Sequence, residues 1–399
     1  MRHVAPALLV LTLIATSPIA AALCTADDAA RIGATGRWAW GGKGDPKTNT
    51  SVETIIAQKG PLTILRVITA EEDAIQRHLD VYYGFIYASD IIDLTPRKER
   101  SALASLWEGT MPDAAMLNKI EASLKKRQPE LVAAMDKLWQ NPTPGQHAEY
   151  TQYHTDKYKV SIVGNERLNG FSDPDGVTDT LILETESSDG WKERIWFSTE
   201  YCQMVRYAYE YQEDKGVEKI HEFQPANRPL PKTYPRTPQA LIESQIRAMH
   251  LLDTDALTQL THPDSHANLK TAVIETFKQG QQKALKQIGL ELDEETNLST
   301  IEAMSGADLY RLLNAGLLKH TALSGLLMNN AMEIVEIIPD GDRAAEVVTR
   351  VTTSLRGKSV VRKVNIRILK TADGGWAIGT HEGQRDEVFK GIGVQLPKM

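Results

Sequence analysis

Between Gln224 and Pro238 the chain carries five prolines, at positions 225, 229, 231, 235 and 238. Proline lacks a backbone N–H and fixes φ, so neither a helix interior nor a central strand can run through such a stretch. It reads as a semi-rigid extended spacer. The 399 residues are therefore expected to fold as two units, residues 23–223 and 237–399, joined by a linker over 224–236.

The first residues follow a second strong pattern. Arg2 and the α-amino group supply positive charge, Val4 to Ala15 is apolar apart from Thr12, and Ile19-Ala20-Ala21-Ala22 supplies small residues. This is the order of a secretory signal peptide, residues 1–22, with cleavage expected between Ala22 and Leu23. The apolar run is 12 residues long, against the roughly 20 needed to span a bilayer as a helix. No later segment approaches a spanning length, so the mature chain is expected to have no transmembrane segment and to be periplasmic or secreted.

Export changes the meaning of the two cysteines, Cys24 and Cys202. In an oxidising compartment an even pair reads as a disulfide, which would tie the mature N-terminus to the middle of the chain. Lipidation of Cys24 is the alternative, but lipoprotein signals want Gly, Ala or Ser before the cysteine and Leu23 stands there. Neither cysteine has a histidine at ligand spacing, so no zinc site and no cofactor is expected. The formal net charge of −7 argues against nucleic acid, which needs a concentrated basic surface. The basic clusters Arg97-Lys98-Glu99-Arg100 and Lys125-Lys126-Arg127 read as solvated helix faces.

Strand signals dominate the first half. Gly36 to Trp40 is strand-like, then Gly41-Gly42-Lys43-Gly44-Asp45-Pro46 turns; no Ser or Thr follows the lysine, so it is not a phosphate loop. Leu62–Ile68 and Val81–Tyr87 are rich in β-branched and aromatic residues, whereas Glu71–Leu79 looks helical. Arg97–Leu138 holds apolar residues at three- and four-residue spacing (Leu117, Ile120, Leu124, Leu131, Met135, Leu138), a helical insert over about 97–140. From residue 149 to 223, alternating runs separated by polar turns describe an antiparallel sheet with one wet face. Within it, Val160–Glu166, Asp179–Glu184 and Arg194–Tyr207 resemble the β-rich repeat of bacterial envelope proteins of unknown function, themselves similar to lipoprotein-carrier-like half-barrels. Thr199 stands where that rhythm prefers proline. The resemblance implies a curved sheet and a non-catalytic role.

The second half opens with Thr237 as a helix cap and Pro238 at the first helical position. Helical patterns continue to Met328, with glycines at 306, 316 and 325, and four strands follow at 331–338, 344–355, 359–369 and 376–380. Helices first, then a meander closing on Asp373-Gly374-Gly375-Trp376-Ala377-Ile378, resemble the NTF2-like superfamily of α+β cones. The expected fold class is thus α+β: an antiparallel curved sheet with a helical insert, followed by an NTF2-like cone.

No catalytic constellation assembles. The resemblance to a cone nominates Trp376, His381 and Glu382 as pocket residues, the last two as a general-base pair. His262 and His266 stand four apart, but Pro263 argues for a capped loop there and against a metal site; Asp253 and Asp255 read as helix caps. Tyr207, Tyr209 and Tyr211 share one strand face, as sheet core or as a ligand contact. The function these features support is an exported, non-catalytic binding protein of the envelope, with a protein partner or a small apolar ligand. An enzyme using the cone pocket, of isomerase or hydrolase type, and an immunity-type inhibitor of an exported toxin are the alternatives.

Overall fold

The computed structural model describes residues 24, 31–40, 49–70, 75–88, 113–152, 156–169, 177–225, 233–280, 285, 290, 297–319, 321–355 and 358–379. The expected cleavage point at Ala22–Leu23, the Gly41–Pro46 turn, and His381 and Glu382 lie outside them.

Eleven strands form one sheet: β1 (Thr35–Trp40), β2 (Asn49–Lys59), β3 (Leu62–Ala70), β4 (Ile75–Tyr83), β5 (Ile86–Tyr87), β6 (His147–Gln152), β7 (Asp156–Asn169), β8 (Val177–Ser187), β9 (Lys192–Ser198), β10 (Gln203–Tyr211) and β11 (Asp214–Gln224). Their order is β5-β4-β3-β2-β1-β11-β10-β9-β8-β7-β6, and every pairing is antiparallel. Two local meanders are thus fused along one long-range seam, where Thr35 of β1 lies opposite Gln224 of β11.

Between the meanders come α1 (Ala114–Arg127) and α2 (Pro129–Gln140). Asp113 caps α1, its side chain accepting from the Met116 N–H at 2.7 Å. Lys125, Lys126 and Arg127 occupy the last turn, where cations complement the helix dipole. The apolar face anticipated by spacing is the buried one: Ile120, Leu124, Leu131, Met135 and Leu138 pack against Leu62, Ile64, Val81 and Tyr83 on one side, and Val160, Ile162, Leu181 and Leu183 on the other. Gly84, in the β4–β5 turn at φ +62°, passes so close to α2 that an added Cβ would lie 3.0 Å from that of Met135. A left-handed turn under a packed helix has room for no other residue.

After the proline-rich stretch come α3 (Pro238–His250), α4 (Thr254–Gln259), α5 (Pro263–Lys278), α6 (Leu298–Ala303), α7 (Gly306–Lys319) and α8 (Thr321–Met328). Thr237 caps α3, accepting from the Ala240 N–H at 3.1 Å. A four-stranded sheet follows, β12 (Asn330–Asp340), β13 (Ala344–Leu355), β14 (Lys358–Lys370) and β15 (Trp376–Ile378), in sequential order.

The fold class read from the sequence is corrected. The described residues are mostly β, 48% strand against 32% helix, and do not form an α+β sheet with an NTF2-like cone. Two physical reasons stand out. Segments that carried helical or no clear signal, β2 and β4 among them, are recruited as strands: Glu71–Leu79 looked helical, yet from Ile75 onward it pairs with β3 residue by residue, and neighbouring strands outweigh intrinsic preference. The C-terminal strands form a small separate meander whose outer strand β12 is largely exposed from Glu336 to Asp340.

The His262–His266 reading is corrected too. Pro263 starts α5, because the first helical position needs no N–H and suits proline's φ. His262 is the cap, its Nδ1 accepting from the Asp264 N–H at 3.2 Å. His266 Nε2 faces the Thr258 carbonyl at 3.0 Å.

The C-terminal half packs on the outer face of β2 and β3. Val52, Ile68 and Ala70 meet Met328 and Leu252 there. Their strand neighbours Ser51, Glu53, Val67 and Thr69 therefore point to the opposite face. This double coverage explains the near-continuous burial of β3. His250, 8% exposed, locks the contact: Nδ1 lies 2.7 Å from Glu222 Oε1 on β11 and Nε2 lies 2.7 Å from the Asn330 carbonyl on β12. His250→Ala removes both contacts and is expected to cost about 2 kcal/mol, read as a lower urea midpoint; a loss below 0.5 kcal/mol, the roughly neutral range for surface changes, would count against the lock.

Candidate functional site

Strands from both ends of the sheet border one cavity of about 780 Å³. Tyr87 of edge strand β5 and Tyr150 of edge strand β6 both line it, so the sheet is curled until its edges face a common space.

Register decides which side chains enter. Trp38 on β1 lies opposite Ser51 on β2, and Ser51 opposite Thr69 on β3. Glu53 lies opposite Val67, and Val67 opposite His78 on β4. On the other side Glu218 of β11 lies opposite Tyr207 of β10, which lies opposite Ile195 of β9. Directly opposed residues share a face, and all of these line the cavity. Asp80 and Tyr82 follow His78 at two-residue steps on β4, and Glu193 precedes Ile195 on β9.

The floor is aromatic. Phe85, from the β4–β5 turn, meets Phe197 edge-on at 5.0 Å and Trp139 of α2 at 5.4 Å. Tyr82 and Tyr87 meet edge-on at 5.5 Å, and Tyr150 and Tyr158 stack at 5.2 Å. Nine aromatic residues line the space in all, Trp191 and Tyr211 among them.

Its charge is one-sided. Five carboxylates, Glu53, Asp80, Asp189, Glu193 and Glu218, line the cavity, with His78 as the one basic side chain among the described lining residues. His78 Nε2 stands 3.4 Å from Asp80 Oδ1, and Tyr87 donates to the same oxygen at 3.3 Å. Burial, reinforced by the neighbouring Asp80, pushes Glu53 up to about 7. Burial likewise raises Glu193 to about 7, against hydrogen bonds from Thr185 and Tyr207 that favour its charge. Glu218 is raised by burial. The phenols of Tyr82 and Tyr207 are raised as well, by burial first and then by nearby carboxylates.

Such carboxylates cost stability where they are ionised. For Glu53, stability relative to an uncharged analogue is fully retained below its ordinary value of 4.5 and is lost as pH rises through about 7. That displacement corresponds to roughly 3 kcal/mol, and cavity water screens it to about 1–2 kcal/mol. Glu53→Gln is therefore expected to raise the melting temperature at pH 8 and to leave it unchanged at pH 4, measured by thermal scans across that range. An equal effect at both pH values would contradict the assignment.

Beside the cavity, and sharing Glu53, Tyr82, Phe85 and Met204 with it, lies a void of about 20 Å³ that also borders Gln203. Gln203 is 5% exposed, and neither atom of its carboxamide has a partner among the described residues. Beside a void of that size, a buried amide with its hydrogen bonds unmade marks a place for one water molecule.

The residues nominated from sequence fall unevenly around this site. Cys24 and Cys202 are disulfide-bonded, with Cα atoms 5.3 Å apart, and Cys202 borders the small void. Tyr207 and Tyr211 line the cavity; Tyr209 stacks on Tyr207 at 5.8 Å. Trp376 is remote from it: Lys370 Nζ sits 5.3 Å from its ring centroid, its backbone N–H donates to the Pro235 carbonyl at 2.8 Å, and its side chain packs with the C-terminal core. Asp253 caps α4 through the Ala256 N–H at 3.0 Å, and Asp255 pairs with Arg311. Sequence reasoning missed Glu53, His78, Asp80 and Glu193. For His78, Asp80 and Glu193 the one local signal was the two-residue step of polar and aromatic side chains along β4 and β9.

No group of three His, Cys, Asp or Glu among the described residues is close enough to hold a metal ion, and no described helix is long and apolar enough to cross a membrane. Fold and site together define a curled antiparallel-sheet protein with an aromatic, acidic cavity. Compared with known proteins, the chain matches no family model and no curated sequence.

Proposed function

We propose that this is an exported, non-catalytic binding protein that holds a small, partly apolar ligand in the cavity of its eleven-stranded sheet. The observation that carries the reading is the lining itself: nine aromatic side chains converge on about 780 Å³ of space, within the range of ligand pockets. Tyrosine and tryptophan supply contact area at low conformational cost, each with a polar edge. Export is supported by the Cys24–Cys202 disulfide, a bond that persists in oxidising compartments, together with the charged, apolar, small-residue order of residues 1–22.

Binding is tested with the neutral dye N-phenyl-1-naphthylamine, whose emission rises in an apolar site. Saturable binding of one dye per native chain is expected, weakened about tenfold by Tyr82→Ala or Tyr207→Ala, as loss of an aromatic contact implies. Emission that grows without saturation, indifferent to both variants, would refute a ligand cavity. Mass spectrometry of the protein from fractionated cells tests export: the expected species begins at Leu23 with both cysteines oxidised, and a cytosolic species with Met1 and free thiols would end that part of the proposal.

A further inference from the structure

Resting on the reading of this cavity as a ligand site, we infer that the ligand is an organic cation, an amine or quaternary ammonium group attached to an apolar body. Three features of the cavity and its margin converge on that chemistry. The described lining residues bring five carboxylates into one space with no lysine or arginine among them. An anionic guest, such as a fatty acid or a phosphorylated lipid head, would enter against that field. A metal ion does not answer it either, since the carboxylates are spread along β2, β4, β9, β11 and the β8–β9 turn and no three of the described groups gather closely enough to chelate one.

The walls between those carboxylates are aromatic. Trp38, Tyr82 and Tyr207 stand on strands that also carry Glu53, Asp80 or Glu218, or on strands adjoining them. Ring faces attract cations, more strongly when the site is desolvated, and the combination of ring faces with carboxylates suits an ammonium group better than a neutral alcohol. The third feature is the Gln203 carboxamide, 5% exposed and unpartnered among the described residues, bordering the void beside Glu53 and Tyr82. Across that small void it adds a polar, uncharged edge beside Glu53 and Tyr82, while Phe85, Ile86 and Ile195 of the main cavity supply an apolar floor for the guest's body.

Titration of the site supports the same class. Glu53 is faced by Asp80 and His78 from β4, by Trp38 from β1 and by Glu218 from β11, and Glu193 by Thr185 from β8 and Tyr207 from β10. With both carboxyls displaced to about 7, a cation binds their ionised forms and expels protons, so its affinity must fall as pH drops below that range.

The experiment compares three probes of one chain length on the intact disulfide-bonded protein by titration calorimetry: decyltrimethylammonium, decanol and decanoate, each below its micellar concentration. The ammonium charge does not titrate. Decyltrimethylammonium is expected to bind at least tenfold more tightly than decanol, and decanoate more weakly than either. The ammonium-to-decanol ratio should fall about tenfold in Glu53→Gln and in Glu193→Gln, and about tenfold in the native protein between pH 8 and pH 5. Equal affinity for ammonium and alcohol, or a ratio indifferent to pH and to both substitutions, overturns the cation inference and leaves a ligand cavity standing. Binding of none of the three overturns the cavity reading on which it rests.

Discussion

Replacing both cysteines, Cys24→Ser with Cys202→Ser, is expected to lower the free energy of unfolding by about 4–5 kcal/mol. The bridge closes a loop of 178 residues in sequence separation, and loop-closure entropy of the unfolded chain grows with the logarithm of that length. Measured effects often fall short of the entropic limit because the native state relaxes. Here the bonded end has further anchors that resist relaxation. The Cys24 N–H donates to the Thr199 carbonyl at 3.2 Å, and Arg31 donates to the Cys24 carbonyl at 3.0 Å while its Nε reaches buried Gln58 at 2.7 Å. Urea titration gives the test, with dithiothreitol as its control. Reductant should lower the midpoint of the native protein to that of the double variant and leave the variant where it is. A shift worth less than about 1 kcal/mol would be too small for the loop-entropy account.

The second large effect is Phe85→Ala, expected to cost about 3–5 kcal/mol. Phe85 is 3% exposed and touches elements far apart in the chain, Phe197 of β9 and Trp139 of α2, which also meet each other at 6.0 Å. Truncation leaves a void at the point where the curl of the sheet is held against its helices, and it removes the floor of the cavity. Phe85→Leu keeps most of the volume and should cost about 1–2 kcal/mol. Both are read by urea titration, and dye affinity should fall with Phe85→Ala as well. A cost under 1 kcal/mol for Phe85→Ala, far below the usual range for a buried ring, would show that the three rings do not hold the curl.

Much of the molecule was legible before any coordinates. Strands β7 to β11 announced themselves by alternation, because one of their faces is wet for much of its length: β7 reads partly buried and exposed in turn. The apolar stripes of α1 and α2, the Thr237 cap and the pairing of the two cysteines were equally local or forced by number. β2 and β4 were not legible for the opposite reason. With the C-terminal half on one face and a cavity on the other, β2 shows no clean two-residue period, and β4 mixes Arg77, His78 and Asp80 among apolar residues in a way that imitates a helix. The cone expected for the C-terminal half was not found because a hairpin signature such as Asp373–Ile378 specifies a turn and two strands, and says nothing of how the sheet around them closes.

By itself, the sequence determined which cysteines pair, which faces of α1 and α2 are apolar and which segments alternate, since each of these depends on neighbours within a few residues or on simple counting. Only the tertiary structure decided the site. Glu53, His78, Glu193, Tyr207 and Glu218 come from four strands besides β2, and they share one space because β1 pairs with β11 and the sheet then curls until β5 and β6 border the same cavity. Pairing across nearly two hundred residues follows from the fit of whole surfaces, and no local period records it.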